Sequence, residues 1–332
     1  MKIGYLGAGT WGFALIDLLA KQGHDLTVWT RREDFAKALE KERRHPKLQD
    51  TSLGRNVTFT TSLPKTLDGA QILIESVTAR GIREVFLEVG KHLDARVPIV
   101  LTSKGIEQGT LQLLPEVLEE VLGPSHRSSI GCLSGPSHAE EVVAGLPTSV
   151  VASAYASSLI DTIIQLFTTP VFRVYPTYDL LGVCLGGAMK NIIAIACGIS
   201  DGLGFGANTK AALMTRGLHE MRKLAEMKGG EPETLNGLSG MGDLCVSCLS
   251  TLSRNYQFGG FLAEGKCFGE AQEAVGMVVE GAYTCVAAFE LAKKRSIPVP
   301  ITEAVYEVMY EGLHPEIAVK RLLTRTVKEE RL

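Results

Sequence analysis

Lys2-Ile3-Gly4-Tyr5-Leu6-Gly7-Ala8-Gly9-Thr10-Trp11-Gly12 is the stretch whose reading decides the fold. A short apolar strand runs into glycines spaced Gly7-x-Gly9-x-x-Gly12, the dinucleotide-binding fingerprint. Gly7 serves a tight turn out of the strand. Gly9, without a Cβ, lets a pyrophosphate approach the backbone, and Gly12 lets the next helix pack closely on the strand. The helix predicted over Phe13–Lys21 offers free N–H groups and a positive dipole end to the phosphates. A turn at Gly23 and a second strand over Asp25–Trp29 complete the βαβ context. A glycine-rich turn that binds nothing is the alternative.

Outward from there, strand and helix patterns alternate. Strands are predicted over Val57–Thr61, Gln71–Val77, Val97–Thr102, Ser129–Leu133, Ser149–Ser153 and Phe172–Tyr175. Helices are predicted over Asp34–Arg43, Leu63–Leu67, Ala79–Lys91, Leu111–Leu122 and Ser157–Phe167. The alternation implies a parallel, doubly wound sheet. His45–Asn56 is irregular, and His45 reads as exposed rather than as a ligand. Past Asp179 strand signals stop and small-residue helices continue to the end. The boundary near Pro176–Leu180 gives an α/β architecture: a Rossmann domain over 1–178 and an all-helical domain over 179–332.

The chain of 332 residues is 45% hydrophobic and 21% charged, ordinary for a globular protein of two domains. A net charge of −3 leaves no general attraction to nucleic acid or anionic membrane, so any phosphate site must be local. The first strand begins at Lys2, which leaves no room for a signal peptide. No uncharged apolar run is long enough to span a membrane; the longest candidate is Ile192–Ile199. Seven scattered cysteines suit reduced thiols in a cytoplasm. Cys245-x-x-Cys248 has no second pair beside it and reads as packing, so no metal site is expected.

Where an NAD-preferring site carries an acidic residue for the ribose 2′-OH, this chain has Arg31 and Arg32. Arginine pairs with a 2′-phosphate and stacks on adenine, which predicts a preference for NADPH over NADH. Two solvated loop arginines are the alternative. Lys104 follows a strand end, where ligands of such sheets lie. Ser134-Gly135-Pro136-Ser137-His138-Ala139, at another strand end, offers free N–H groups to the same cleft. From Gly182 to Gly198 every residue is apolar or small except Lys190 and Asn191. Burying a lone ammonium costs several kcal/mol and pulls its pKa toward neutrality, which suits a proton carrier. Snorkelling to solvent is the alternative. Asn191 could orient Lys190 or a substrate oxygen. Asp243, among glycines and apolar residues, is a natural partner for Lys190 or for substrate hydroxyls. Ser253-Arg254-Asn255 at a helix start reads as an anion site or as an ordinary cap. Glu280, in Val278-Val279-Glu280-Gly281, reads equally as a cap or a cofactor contact.

Taken in order, Gly7–Gly12, Ser103-Lys104-Gly105, Ser134–Ser137, Gly186–Asn191, Ser200–Asn208, Gly240–Leu244, Ser253–Asn255 and Val278–Gly281 resemble the bacterial NAD(P)-dependent glycerol-3-phosphate dehydrogenases over nearly the whole chain. The resemblance implies a Rossmann domain followed by an all-helical domain of the 6-phosphogluconate-dehydrogenase kind. It implies reversible conversion of dihydroxyacetone phosphate to sn-glycerol 3-phosphate, feeding phospholipid synthesis. The cofactor implied is NADPH/NADP+, with NADH/NAD+ also accepted, and the assembly implied is a homodimer. By motif position, Gly7, Gly9, Thr10, Trp11, Gly12, Arg31, Arg32, Ala139, Val278 and Glu280 would contact the cofactor. Gly135, Ser137, Asp243, Ser253 and Asn255 would contact substrate, Lys104 and Arg254 both ligands. Lys190 would be the catalytic proton carrier. The loop Lys47–Arg55 lacks the family's Tyr-Leu-Pro, Ser137 replaces its Thr, and His138 its Phe. The rivals are a β-hydroxyacid or ketopantoate-type reductase and a nicotinamide-sensing regulator without catalysis.

Overall fold

A computed structural model describes residues 1–48, 51–326 and Glu329. Gln49 and Asp50, within the loop whose missing Tyr-Leu-Pro was noted above, lie outside the described residues. The chain divides into two units: Met1–Ser103 with Leu114–Leu180, and Lys104–Leu113 with Leu181–Leu332.

The first unit holds strands β1 (Lys2–Leu6), β2 (Asp25–Trp29), β3 (Val57–Thr60), β4 (Ile72–Glu75), β5 (Ile99–Leu101), β6 (Ile130–Ser134), β7 (Thr148–Ala154) and β8 (Phe172–Pro176). Between them run α1 (Thr10–Lys21), α2 (Glu33–Glu42), α3 (Leu63–Leu67), α4 (Ile82–Val89), α5 (Leu114–Leu122), α6 (Ala139–Val143) and α7 (Ser157–Phe167). The strands form one sheet in the order β3-β2-β1-β4-β5-β6-β7-β8. Successive strands are added outward on one side of β1 as far as β3 and then, from β4, on its other side, so β1 lies at the switch point where such sheets bind ligands. Apolar residues of β1, β2 and β4 are buried against Phe13, Leu15, Ile16 and Leu19 of α1.

The sheet is not wholly parallel, as the alternation implied: β7 runs antiparallel to β6. The cause is the length of α6. Its five residues advance only about 7.5 Å. The five residues of β6 advance about 17 Å. Such a helix cannot carry the chain back to the start of the sheet for a parallel return. His45, read as exposed, is buried instead; its ring lies 5.5 Å from that of Phe13 and 5.9 Å from that of Phe35.

The second unit is helical: α8 (Leu180–Gly202), α9 (Ala207–Met227), α10 (Asp243–Leu249), α11 (Arg254–Ala263), α12 (Phe268–Val275), α13 (Glu280–Lys294), α14 (Pro300–Tyr310) and α15 (Pro315–Leu323). Lys104–Leu113 belongs to it because Ile106, Leu111 and Leu113 are buried in the helical core. The helix expected from Leu111 starts only at Leu114, after Leu111 adopts a positive φ of 61°. With 23 residues and a mean hydropathy of 1.8, α8 is long and apolar enough to cross a membrane. Its apolar window is 89% buried inside the protein, however, so α8 is the axis of a protein core.

Candidate active site

In the first unit the residues from Gly7 to Gly12 form the turn from β1 into α1. Gly7 has a φ of 94°, and a Cβ there would lie 2.6 Å from the Ser76 carbonyl oxygen. A Cβ on Gly12 would lie 2.7 Å from the Gly7 carbonyl oxygen. A Cβ on Gly9 would meet no atom within 4 Å. Two glycines are thus demanded by the fold, and the middle one borders open space. The N-cap of α1 is Gly9, which has no side chain to satisfy the helix, and no acidic residue stands in the first turn. Its leading N–H groups and dipole are left for an anion. This cradle fits a dinucleotide pyrophosphate. Thr10 and Trp11 open α1.

Arg31 and Arg32 follow β2. Arg31 Nη2 lies 3.5 Å from Glu84 Oε2 of α4. Arg32 lies 4.0 Å from Asp34, and its guanidinium stands 5.2 Å from the centroid of the Phe35 ring. Gly135, Ser137 and Ala139 sit at the end of β6, with β4 and β5 between them and β1. Ser137 Oγ donates to the Gly135 carbonyl at 3.0 Å, which fixes the turn before α6. His138 is the N-cap position of α6 but makes no side-chain cap bond.

Below the glycine turn lies a polar chain that sequence reading missed. Tyr5 Oη and Ser76 Oγ lie 2.7 Å apart, Ser76 Oγ and Thr102 Oγ1 lie 2.6 Å apart, and Thr102 Oγ1 donates to the Glu75 carbonyl at 2.8 Å. The Glu75 carboxylate, fully buried, accepts from Val77 N–H and Ser103 Oγ, both at 2.6 Å. Burial pushes its pKa up to about 7, against the pull of these donors.

In the second unit, Lys190 of α8 is 8% exposed, so it does not snorkel to solvent. Its Nζ donates to Asp243 Oδ1 at 2.5 Å and to Ser247 Oγ at 2.7 Å. The other carboxylate oxygen of Asp243 accepts from Lys104 Nζ at 2.5 Å. One buried carboxylate therefore bridges two ammonium groups. Burial lowers the Lys190 pKa to about 8; the Asp243 charge opposes the fall and the Lys104 charge adds to it. Ser247 was not picked out in the sequence. The signal was there: one turn after Asp243 on α10, position i+4 shares its face.

Beside this cluster Asn255 Nδ2 donates to Asn191 Oδ1 at 3.0 Å, and Asn255 Oδ1 accepts from Gly281 N–H at 3.0 Å. A Cβ on Gly281 would stand 2.5 Å from that same oxygen, so the glycine of Val278–Gly281 is needed for the contact. Ser253 caps α11, its hydroxyl accepting from Tyr256 N–H at 3.4 Å. Arg254, the first residue of α11, reaches the Val278 carbonyl at 3.5 Å. Glu280 opens α13, and Val278 just before it is exposed. Cys245 and Cys248 lie on α10, Cys248 buried in the core and Cys245 half-buried, and no group of three metal-ligating side chains gathers among the described residues.

A dinucleotide cradle on one unit and a buried, tuned lysine on the other define the class: a two-unit, nicotinamide-dependent dehydrogenase. Family descriptions narrow it. The N-terminus and the C-terminus of NAD-dependent glycerol-3-phosphate dehydrogenase match residues 2–160 and 179–320. The chain belongs to that family. It is 54% identical over 331 residues to the glycerol-3-phosphate dehydrogenase (NAD(P)+) of Protochlamydia amoebophila, covering 100% of this chain and 99% of the relative. It is 51% identical over 328 residues to the enzyme of that name from Chlamydia pneumoniae, covering 99% and 98%. Its fold is similar to the crystal structure of glycerol-3-phosphate dehydrogenase from Coxiella burnetii, with a TM-score of 0.93 and 38% identity, covering 98% and 99% of the two chains.

Proposed function

We propose that this protein interconverts dihydroxyacetone phosphate and sn-glycerol 3-phosphate with a nicotinamide dinucleotide, NADPH being preferred and NADH accepted, and with Lys190 as the proton carrier. When bound, the nicotinamide supplies or takes up the hydride. The first unit is the dinucleotide-binding domain: Gly7, Gly9 and Gly12 with Thr10 and Trp11 hold the pyrophosphate, and Arg31 and Arg32 the 2′-phosphate. Ala139, Val278 and Glu280 complete the cofactor contacts. The second unit is the catalytic domain.

There Lys190, as an ammonium, hydrogen-bonds the ketone oxygen of the substrate and neutralises the charge that grows on it. It then gives that oxygen its proton. A donor whose pKa lies near 8 is charged at neutral pH and still yields a proton readily. Asp243 and Ser247 fix Nζ so that the ammonium does not have to be ordered at the moment of reaction. Arg254 and Asn255 hold the substrate phosphate at the start of α11, with Ser253, Lys104, Gly135 and Ser137 as further contacts. The observation that carries this reading is Lys190 itself: a buried ammonium, the one charged residue between Gly182 and Gly198 of α8, paired to a carboxylate.

Lys190→Ala tests it. Turnover should fall by roughly two orders of magnitude or more, while NADPH binding followed by fluorescence stays within about twofold. Near-normal turnover would remove Lys190 from the role. Supply of glycerol 3-phosphate to phospholipid synthesis, a homodimer and a cytoplasmic site are part of the same proposal. Seven free thiols suit a reducing compartment, and sedimentation of the purified protein reads the assembly directly.

A further inference from the structure

Arg31 does not stand alone above the sheet. β2 and β4 flank β1 on its two sides. Arg31 leaves the end of β2, yet its guanidinium reaches the segment that follows β4: a Cβ on Gly81 would lie 3.6 Å from Arg31 Nη2 and 3.6 Å from Thr78 Oγ1. On that side it meets Glu84, in the first turn of α4. The link therefore crosses the level of β1, the strand that delivers the glycine turn. Arg83 of the same helix is turned to Glu120 of α5 at 2.8 Å, so Glu84 is the carboxylate that faces Arg31.

The Arg31–Glu84 pair is exposed on both sides, 65% and 76%, and such a pair adds little to stability. Its consequence lies in what a ligand meets. A phosphate that takes Arg31 must displace a carboxylate already beside it and sit near that negative charge afterwards. A cofactor with a free 2′-OH meets no such competition and is offered an acceptor. We propose that Glu84 is a specificity-determining residue that holds back the preference for the 2′-phosphorylated cofactor by competing with the 2′-phosphate for Arg31. The proposal rests on the reading of Arg31 as the 2′-phosphate contact.

The test is a set of dissociation constants for NADPH, NADH and 2′,5′-ADP, measured by fluorescence titration or calorimetry on the whole protein. Glu84→Gln keeps the size of the side chain and removes its charge. It should tighten NADPH and 2′,5′-ADP about three- to tenfold, the scale of one partly screened charge, and leave NADH within about twofold. Arg31→Ala should weaken NADPH and 2′,5′-ADP selectively. If Arg31→Ala is selective and Glu84→Gln moves NADPH and NADH equally, or moves neither, the Glu84 proposal is overturned while the Arg31 reading stands. If Arg31→Ala weakens NADPH and NADH alike, the Arg31 reading fails and takes the proposal with it.

Discussion

The glycine turn of the first unit is a feature of backbone; the lysine cluster of the second is one of side chains. In the first, six consecutive residues, Gly7 to Gly12, make a turn whose value lies in what is missing: no Cβ at Gly9 and no cap at the head of α1. In the second, Lys104, Lys190 and the Asp243–Ser247 turn of α10 come from three distant parts of the chain, and the two lysines meet at the Asp243 carboxylate. A backbone site can be specified only by residues that allow the backbone conformation and the approach, so it is written as glycines at fixed spacing. A side-chain site can be assembled from anywhere the fold brings together. The two halves should therefore fail in different ways when altered.

The sharpest separation should come from the glycines. Gly9→Val adds a side chain into open space, at a φ of −66° that any residue adopts. It should leave the thermal midpoint nearly unchanged and weaken NADPH by at least about tenfold, because the pyrophosphate loses its approach to the backbone. Gly12→Ala should show its main effect in stability instead. Its methyl would press on the Gly7 carbonyl, costing about 1–3 kcal/mol of stability in a urea titration. A Gly9 variant that keeps NADPH affinity would break the backbone half of the comparison.

A smaller effect sharpens it further, because each unit also buries a carboxylate held by backbone N–H and hydroxyl donors. Glu220 of α9 is fully buried, and it accepts from Ile301 N–H at 2.6 Å, Thr302 N–H at 3.1 Å and Thr302 Oγ1 at 2.9 Å, capping α14. Burial raises its pKa to about 7, as it does for Glu75. A carboxyl with a raised folded-state pKa contributes stability that is present below the ordinary carboxylate range and is lost as pH rises through about 7. Buried His45, with its pKa lowered chiefly by burial, pulls the other way. Glu220→Gln should therefore lower stability by about 1–3 kcal/mol, since the amide cannot accept from all three donors. The urea midpoint of the variant should also decline less between pH 5.5 and pH 8 than that of the unaltered protein. Equal declines would mean that Glu220 does not titrate in the folded state.

How much of this was legible follows from the same contrast. The fingerprint, the alternation and the switch to helices after Asp179 carried the fold, because each is a local pattern with a local cause. The antiparallel β7 was hidden, since it depends on how far a five-residue helix can carry the chain. The membership of Lys104–Leu113 in the helical unit was hidden too, because three apolar side chains among ten residues do not say which core they fill. Lys190 stood out by being charged where its neighbours are not, and Asp243 by its glycine setting. Ser247, Glu75 and Glu84 had no such contrast with their surroundings. Ordinary in sequence, they became distinct only through what they touch.

The claim on which the rest depends is that a proton on Lys190, tuned by burial and by Asp243, drives the reduction. The pH dependence of kcat/KM for dihydroxyacetone phosphate, in the unaltered enzyme and in Asp243→Asn, tests it most directly. Reduction needs the ammonium, so activity should fall as pH rises above about 8. Because the Asp243 charge holds the Lys190 pKa up, the variant should begin its fall at lower pH. An alkaline limb that stays in place when Asp243 loses its charge would contradict the account.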